Sequence, residues 1–259
     1  MKVPILLYHA LFDKDLNSEK YEINKKDFET QIRYLSDNGF QSFPVDDFFK
    51  TDNSGVTEGK GVAITFDDGN YSDYSIAFPI LKKYGFTATF FITVNWIGTE
   101  KFATWTQLEE MSAAGMSIQS HSLTHPFLSD LSRDDLHKEL DGSRKVLESK
   151  LSIPVTVLSI PGGFFSRDVL TMAEEVGYKG VCTSVPGLNK LDSLESGFLI
   201  LNRFVMTRKT SFQDFKAIVS RNQRYVALCR AQHYFKAGIK KVLGNKRYYA
   251  LWSRYLRKV

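Results

Sequence analysis

The sequence predicts an α/β fold built on a parallel sheet, and three observations carry that expectation. Short, nearly wholly apolar runs recur along the chain, as expected of parallel strands covered on both faces. Between them lie longer segments of helical period. Most of those helical segments end at a glycine, the residue suited to the positive φ just past a helix. Strand alternating with helix in this way implies a parallel sheet, open or closed.

In order, Pro4–Tyr8 reads as the first strand, and Asn24–Asn38 as a helix with Phe28, Ile32 and Leu35 on one face. Asn24 with Asp27 resembles a capping box, and Gly39 ends the helix. Val62–Phe66 is the second strand. Asp73–Tyr84 follows as a helix bent or restarted at Pro79 and ended by Gly85. Thr87–Ile92 is a strand, Thr104–Ala114 a helix closed by Gly115, and Met116–Gln119 a strand. Ser132 to about Leu151 is the longest helix, with Leu136, Leu140 and Leu147 roughly a turn apart. Val155–Ile160 is a strand, Ser166–Val176 a helix ended by Gly177, and Tyr178–Thr183 the last strand expected.

A chain of 259 residues, 43% apolar and 24% charged, has the usage of a globular protein that buries a core without staples. It has room for one large α/β domain or two small ones. The only cysteines, Cys182 and Cys229, form no disulfide framework and no zinc–thiolate cluster, which fits a reducing compartment. The apolar run Ile5–Leu7 is too short for a signal peptide, and no stretch approaches 18 apolar residues. A cytoplasmic protein is therefore expected. The net charge of +5 conceals an asymmetry. From Lys216 onward there are 12 Lys/Arg and no Asp/Glu, which leaves 22 basic against 29 acidic residues in 1–215, a net of −7.

Three motifs each follow an expected strand, and in α/β folds sites are built at the C-terminal ends of strands. Thr65-Phe66-Asp67-Asp68-Gly69 sets two carboxylates side by side at the edge of an apolar run. That is costly unless a cation compensates, although a plain Asp-Asp-Gly turn reads the same way. One carboxylate could bind a metal ion and the other act as general base. His121-Ser122-Leu123-Thr124-His125 precedes Pro126, which favours a strand-end loop over a helix. One Asp with two His suits zinc, with cobalt, nickel or iron as alternatives. Three protein ligands leave a position open for water. Ser159-Ile160-Pro161-Gly162-Gly163 offers backbone N–H groups that could share an oxyanion, or simply makes a turn.

Together these motifs, over roughly residues 3–215, resemble the polysaccharide deacetylase family, also called the NodB-homology domain or carbohydrate esterase family 4. Thr-Phe-Asp-Asp-Gly followed about 50 residues later by His-Ser-x-x-His is specific in combination. Ala88-Thr89-Phe90-Phe91, Trp105 to Gly115 and Gly177-Tyr178 also look like the family. Leu7-Tyr8-His9 looks like a subgroup acting on exopolysaccharides, including poly-N-acetylglucosamine. The resemblance implies a deformed (β/α) barrel over residues 1–215, with 216–259 as a basic, aromatic-rich helical extension. It implies Asp67 as catalytic base, Asp68, His121 and His125 as metal ligands, and the Gly162 N–H as an oxyanion donor. Metal-activated water would then attack the acetamide carbon of an N-acetylated glycan.

Two positions depart from the family pattern. Ser159 stands where many members carry an Arg that tethers the base, and Leu201-Asn202-Arg203 stands where many have Leu-x-His. Arg203 is expected to reach Asp67 and replace the tether. His9, at the end of the first strand, becomes the candidate acid, against the alternative of a hydrogen-bonded structural histidine. His137 and His233 read as surface positions. Thr99–Trp105 could line a sugar groove, with Trp105 as readily placed in the core.

The extension includes Lys246-Arg247-Tyr248-Tyr249 and Trp252-Ser253-Arg254-Tyr255 and fits short amphipathic helices around the Gly244 break. Such helices could lie on an anionic membrane, at its inner face, or pack on the barrel with their basic sides in water. No module supports nucleic-acid binding. A glycan-binding pseudoenzyme, or a deacylase of an O-acetyl, formyl or lipid-linked sugar, remains the alternative activity.

Overall fold

The structure is a computed structural model that describes residues 2–13, 21–49, 60–163, 165–190 and 197–243. Its strands are β1 (Lys2–Tyr8), β2 (Leu11–Phe12), β3 (Ile23–Asn24), β4 (Gln41–Ser42), β5 (Gly61–Phe66), β6 (Thr89–Ile92), β7 (Ser117–Ser120), β8 (Val157–Ser159), β9 (Gly180–Cys182), β10 (Leu188–Lys190), β11 (Leu199–Leu201) and β12 (Phe204–Val205). Its helices are α1 (Lys25–Asp37), α2 (Phe78–Lys83), α3 (Trp105–Ala113), α4 (Arg133–Leu151), α5 (Arg167–Glu175), α6 (Phe212–Val219) and α7 (Gln223–Leu243).

The main sheet runs β1-β5-β6-β7-β8-β9-β11 with every neighbouring pair parallel. On its outer side β1 takes two partners in succession. Lys2–Pro4 pairs antiparallel with β10, and Leu6–Leu7 pairs parallel with β12. Between β11 and β12 lie only Asn202 and Arg203, so the chain itself carries the sheet from its last edge back to its first. The result is an eight-position barrel closed with a step, the expected deformed (β/α) barrel.

The pleat divides the apolar residues into two sets. Leu6, Tyr8, Ile64, Phe66, Phe90 and Ile92 face the helices and join the larger core cluster. The alternate set, Val3, Ile5, Ala63, Phe91, Val157, Cys182 and Leu201, packs with Phe43, Val45 and Phe48 from a 3₁₀ turn, Val45–Phe49, into a smaller cluster inside the barrel. Each such side chain removed from water contributes about 1.5–3 kcal/mol.

The six expected strands and the first five helices are present within a few residues. Three details differ. The Asn24 side chain caps α1 by accepting from the Lys26 N–H, without the reciprocal bond from Asp27 that a capping box needs. The complete box sits instead on α3, between Thr104 and Gln107. Around Pro79 the helix is two pieces: a π-turn over Asp73–Ala77, then α2 with proline in its first turn, where a missing N–H costs nothing.

The strands from residue 188 to 205 were not anticipated, and they are the ones that close the barrel. The boundary set at 215/216 falls inside α6, whose Phe215, Ile218 and Val219 are buried in the larger core together with Val226 of α7. The extension thus begins as part of the barrel's packing. Most of its described part is one helix of 21 residues, α7. Gly244, Lys246–Tyr249 and Trp252–Tyr255 lie outside the described residues.

Candidate active site

The inner column of β5, Ala63 then Thr65, points the next alternate residue, Asp67, into the mouth of the barrel. Asp67 is 3% exposed, and its N–H bonds the Tyr8 carbonyl at 3.0 Å. Arg203 meets it from the β11–β12 step. Nη1 donates to Oδ1 at 2.7 Å and Nη2 to Oδ2 at 2.8 Å. Ser159, at the end of β8, donates from Oγ to Asp67 Oδ2 at 2.9 Å and accepts from Arg203 Nη2 at 2.8 Å. Nε of Arg203 donates to the Thr183 carbonyl at 3.0 Å, and Nη1 also reaches Thr65 Oγ1 at 3.4 Å. All five guanidinium N–H groups thus find acceptors, as a fully buried arginine requires. The guanidinium also lies over the Phe91 ring, 5.4 Å from its centroid.

Burial alone would raise the Asp67 pKa. The Arg203 charge, aided by His121 and the hydrogen bonds, overrides it and holds the carboxyl well below the usual range.

Asp68 occupies the next position at φ 85, and Ser122 and His125 also have positive φ, 67 and 64. Left-handed backbone at a non-glycine residue costs of order 1–3 kcal/mol, and such positions concentrate at functional sites. The strain turns the Asp68 carboxylate and both imidazoles inward. Asp68 Oδ1 lies 3.4 Å from His121 Nε2 and 3.5 Å from His125 Nε2. One ligand atom from each of Asp68, His121 and His125 lies within 4.8 Å of the others.

His121 Nδ1 is 2.8 Å from the Ser159 carbonyl, which can only accept, so the proton sits on Nδ1 and the Nε2 lone pair faces the cluster. The Asp67 and Asp68 carboxylates raise the His121 pKa against its burial. Burial, reinforced by the His121 charge, lowers His125 to about 4 and keeps it a neutral donor. A carboxylate and two imidazoles with open surroundings fit a divalent cation of the zinc type.

The loop between the two histidines is pinned from outside. Glu139 of α4 accepts from the Leu123 and Thr124 N–H groups, both at 2.9 Å, and from Thr124 Oγ1 at 2.6 Å. Glu139→Ala removes the acceptor of all three bonds, and zinc affinity of the stripped protein is expected to fall about 10-fold or more while the fold persists. Calorimetric zinc titration with a parallel thermal melt checks this. Unchanged affinity would leave Glu139 only a structural role.

Gly162 follows β8 at φ 65 and faces the same space. Its neighbour Gly163 has no room for a side chain, because a Cβ would stand 2.6 Å from Ser184 Oγ. His9, at the end of β1, is half-buried, and its Nδ1 has no hydrogen-bond partner among the described residues, which does not favour the bonded structural role. Its ring lies 5.1 Å from Tyr21. Burial lowers the His9 pKa, opposed by Asp68 and Asp67.

These groups share a cavity of about 780 Å³. Its catalytic end holds His9, Asp67, Asp68, His121, His125 and Gly162, and its far wall comes from Lys209, Asp214 and the α7 residues Tyr225, Leu228, Gln232 and His233. Arg203 sits beneath the site rather than in it. His137 is exposed as expected, whereas His233 is half-buried and faces this cavity, a correction to its reading as a surface position. No residue of Thr99–Trp105 is among those lining the cavity, and Trp105 packs on the larger core.

Several contributors had not been singled out. The Ser159 hydroxyl was visible only as a missing arginine, and Glu139 carried no signal beyond an acid on a helix. Asp73 is a buried carboxyl whose pKa burial, then Asp68 and Asp67, push well above the ordinary value.

With this geometry in place, comparison with known proteins is informative. The family profile described as Polysaccharide deacetylase matches residues 54–181. YxkH of Bacillus subtilis, provisionally named a polysaccharide deacetylase, is 32% identical over 219 residues, covering 84% of this chain and 76% of that protein. The poly-β-1,6-N-acetyl-D-glucosamine N-deacetylase of Staphylococcus epidermidis is 31% identical over 151 residues, 56% of this chain. The matched region spans about half, 51%, of that relative's length. Among solved structures, the Streptococcus pyogenes deacetylase PplD, in complex with acetate, superposes with a TM-score of 0.77 at 28% identity, covering 85% of this chain and 98% of that one.

Proposed function

The chain belongs to the polysaccharide deacetylase family, and from that premise we propose that it hydrolyses N-acetyl groups on an N-acetylated glycan, with Asp67 as the base. The observation that carries this reading is the convergence of two differently held acids. Asp67 is locked into Arg203 and Ser159, while Asp68 faces His121 and His125.

Asp68, His121 and His125 would hold a divalent cation, zinc by donor type, which polarises the amide carbonyl and acidifies water when bound. The remaining steps belong to the chain. Hydrolysis moves one proton from the attacking water to the departing amine nitrogen, forming a C–O bond and breaking the C–N bond. Asp67, kept ionised and fixed by Arg203, accepts that proton. A carboxylate held so far below the usual range does not keep it. His9, neutral at rest because burial lowers its pKa, is the adjacent group able to take the proton on and deliver it to the nitrogen. The role assigned to His9 is thereby a relay rather than a standing acid. The Gly162 N–H supports the oxyanion as the carbon becomes tetrahedral.

The test is acetate release from N-acetylglucosamine oligomers by protein stripped of metal and then reloaded with zinc or cobalt. Release that depends on the added cation supports the reading. Full occupancy by the cation without release from any acetylated sugar would favour a glycan-binding role. His9→Gln is expected to lower turnover about 10²-fold or more with zinc stoichiometry unchanged, and unaltered turnover would remove His9 from the proton path.

A further inference from the structure

Helix α7 carries two apolar stripes instead of one. Tyr225, Val226, Cys229, His233 and Ala237 recur at helical spacing and are buried or half-buried against the barrel. Ala227, Ala231, Tyr234, Phe235 and Gly238 recur at the same spacing on the opposite side, and all five are exposed. Tyr234 is 60% exposed and Phe235 72%. A helix that needed only to cap the barrel would turn charge, not Tyr and Phe, to water. An exposed apolar stripe of this kind marks a contact surface.

Charge says what the surface meets. From Lys216 to the end of the chain there are 12 Lys/Arg and no Asp/Glu, whereas residues 1–215 carry a net −7. Five of those 12 Lys/Arg lie in residues 244–259. Anionic lipid headgroups neutralise this acid-free stretch, and a helix with apolar residues among cations is the sequence form that lies in such an interface.

We propose that α7 docks this protein on an anionic bilayer through Tyr234 and Phe235, so that the cavity, walled by Tyr225, Leu228, Gln232 and His233 of the same helix, opens at the membrane surface. The docking stands on α7 alone. It draws on the deacetylase reading only for its consequence, a glycan substrate presented at the membrane rather than free in solution. No helix among the described residues is long and apolar enough to cross a membrane, so the contact is peripheral.

The test is sedimentation of the full chain with vesicles of phosphatidylcholine alone or mixed with phosphatidylglycerol. Binding is expected only to the mixed vesicles and to weaken with salt. Tyr234→Ser with Phe235→Ser, two exposed changes outside the cavity lining, is expected to reduce binding at least about tenfold. The same double variant should keep its turnover on soluble oligomers. Absence of binding by the parent chain, or equal binding by the variant, overturns the proposal. So does self-association of the parent in lipid-free sedimentation that the variant loses, since a second copy would then occupy the stripe. Failure of the parent to release acetate from soluble oligomers would count against the deacetylase reading and leave the vesicle result standing.

Discussion

Asp67→Asn is expected to lower turnover on N-acetylglucosamine oligomers by about 10²–10⁴-fold, the usual worth of a positioned general base. Zinc content should be unchanged, because the substitution leaves Asp68, His121 and His125 in place. Asparagine keeps the shape of the side chain and can still accept one bond from Arg203 or Ser159. It removes the charge and the ability to take a proton. Steady-state acetate release measured beside metal stoichiometry separates the two effects. Turnover within a few-fold of the parent would exclude Asp67 as base. Loss of both turnover and zinc would mean that the two adjacent carboxylates work as one site.

Arg203→Met carries the second large effect, and it is expected in stability and pH dependence together. Arg203 is fully buried, and breaking a buried ion pair by removing one partner typically costs about 3–5 kcal/mol, chiefly because the other charge is left uncompensated. Methionine fills most of the space, so packing loss is the smaller part. With the guanidinium gone, burial dominates at Asp67 and its pKa rises. The parent keeps Asp67 ionised throughout the working range. The variant should therefore lose activity on the acid side at a higher pH than the parent.

The stability contribution has the same sign. A depressed carboxyl stabilises the fold above its unfolded pKa and loses that contribution as pH falls through the folded value, so the parent resists acid further than the variant. Denaturant melts at neutral and mildly acidic pH, with pH–rate profiles, read both. Arg203→Lys keeps a charge but not the paired fork and should fall between. An acid limb that does not move in Arg203→Met would leave Arg203 a packing role only.

Which parts of this were legible in the sequence follows from how local their causes are. The strands β1, β5, β6, β7, β8 and β9 and helices α1 to α5 are specified by runs of four or more residues with their own period and stop signals. β10, β11 and β12 are two or three residues each and have no periodic signature. They are strands only because β1 and β9 offer them hydrogen bonds, a tertiary cause that strand propensity does not encode. The paired acids and histidines were readable because Asp67-Asp68 and His121…His125 are each close in sequence. The contact between Arg203 and Asp67 was readable only as compensation for two altered positions. Ser159, between them, escaped because a serine at a strand end has many ordinary uses. His233 reads as a surface position because the apolar residues on both sides of α7 blur the single-sided period by which a helix is normally placed.

The step between β11 and β12 ties together two events that most enzymes keep apart. By Cys182 the growing chain already contains Asp67, Asp68, His121, His125 and Ser159, but Arg203 arrives with the last strands. The two-residue step that returns the sheet to β1 also carries the guanidinium that meets Asp67, so barrel closure and charge compensation of the buried carboxylate are one event.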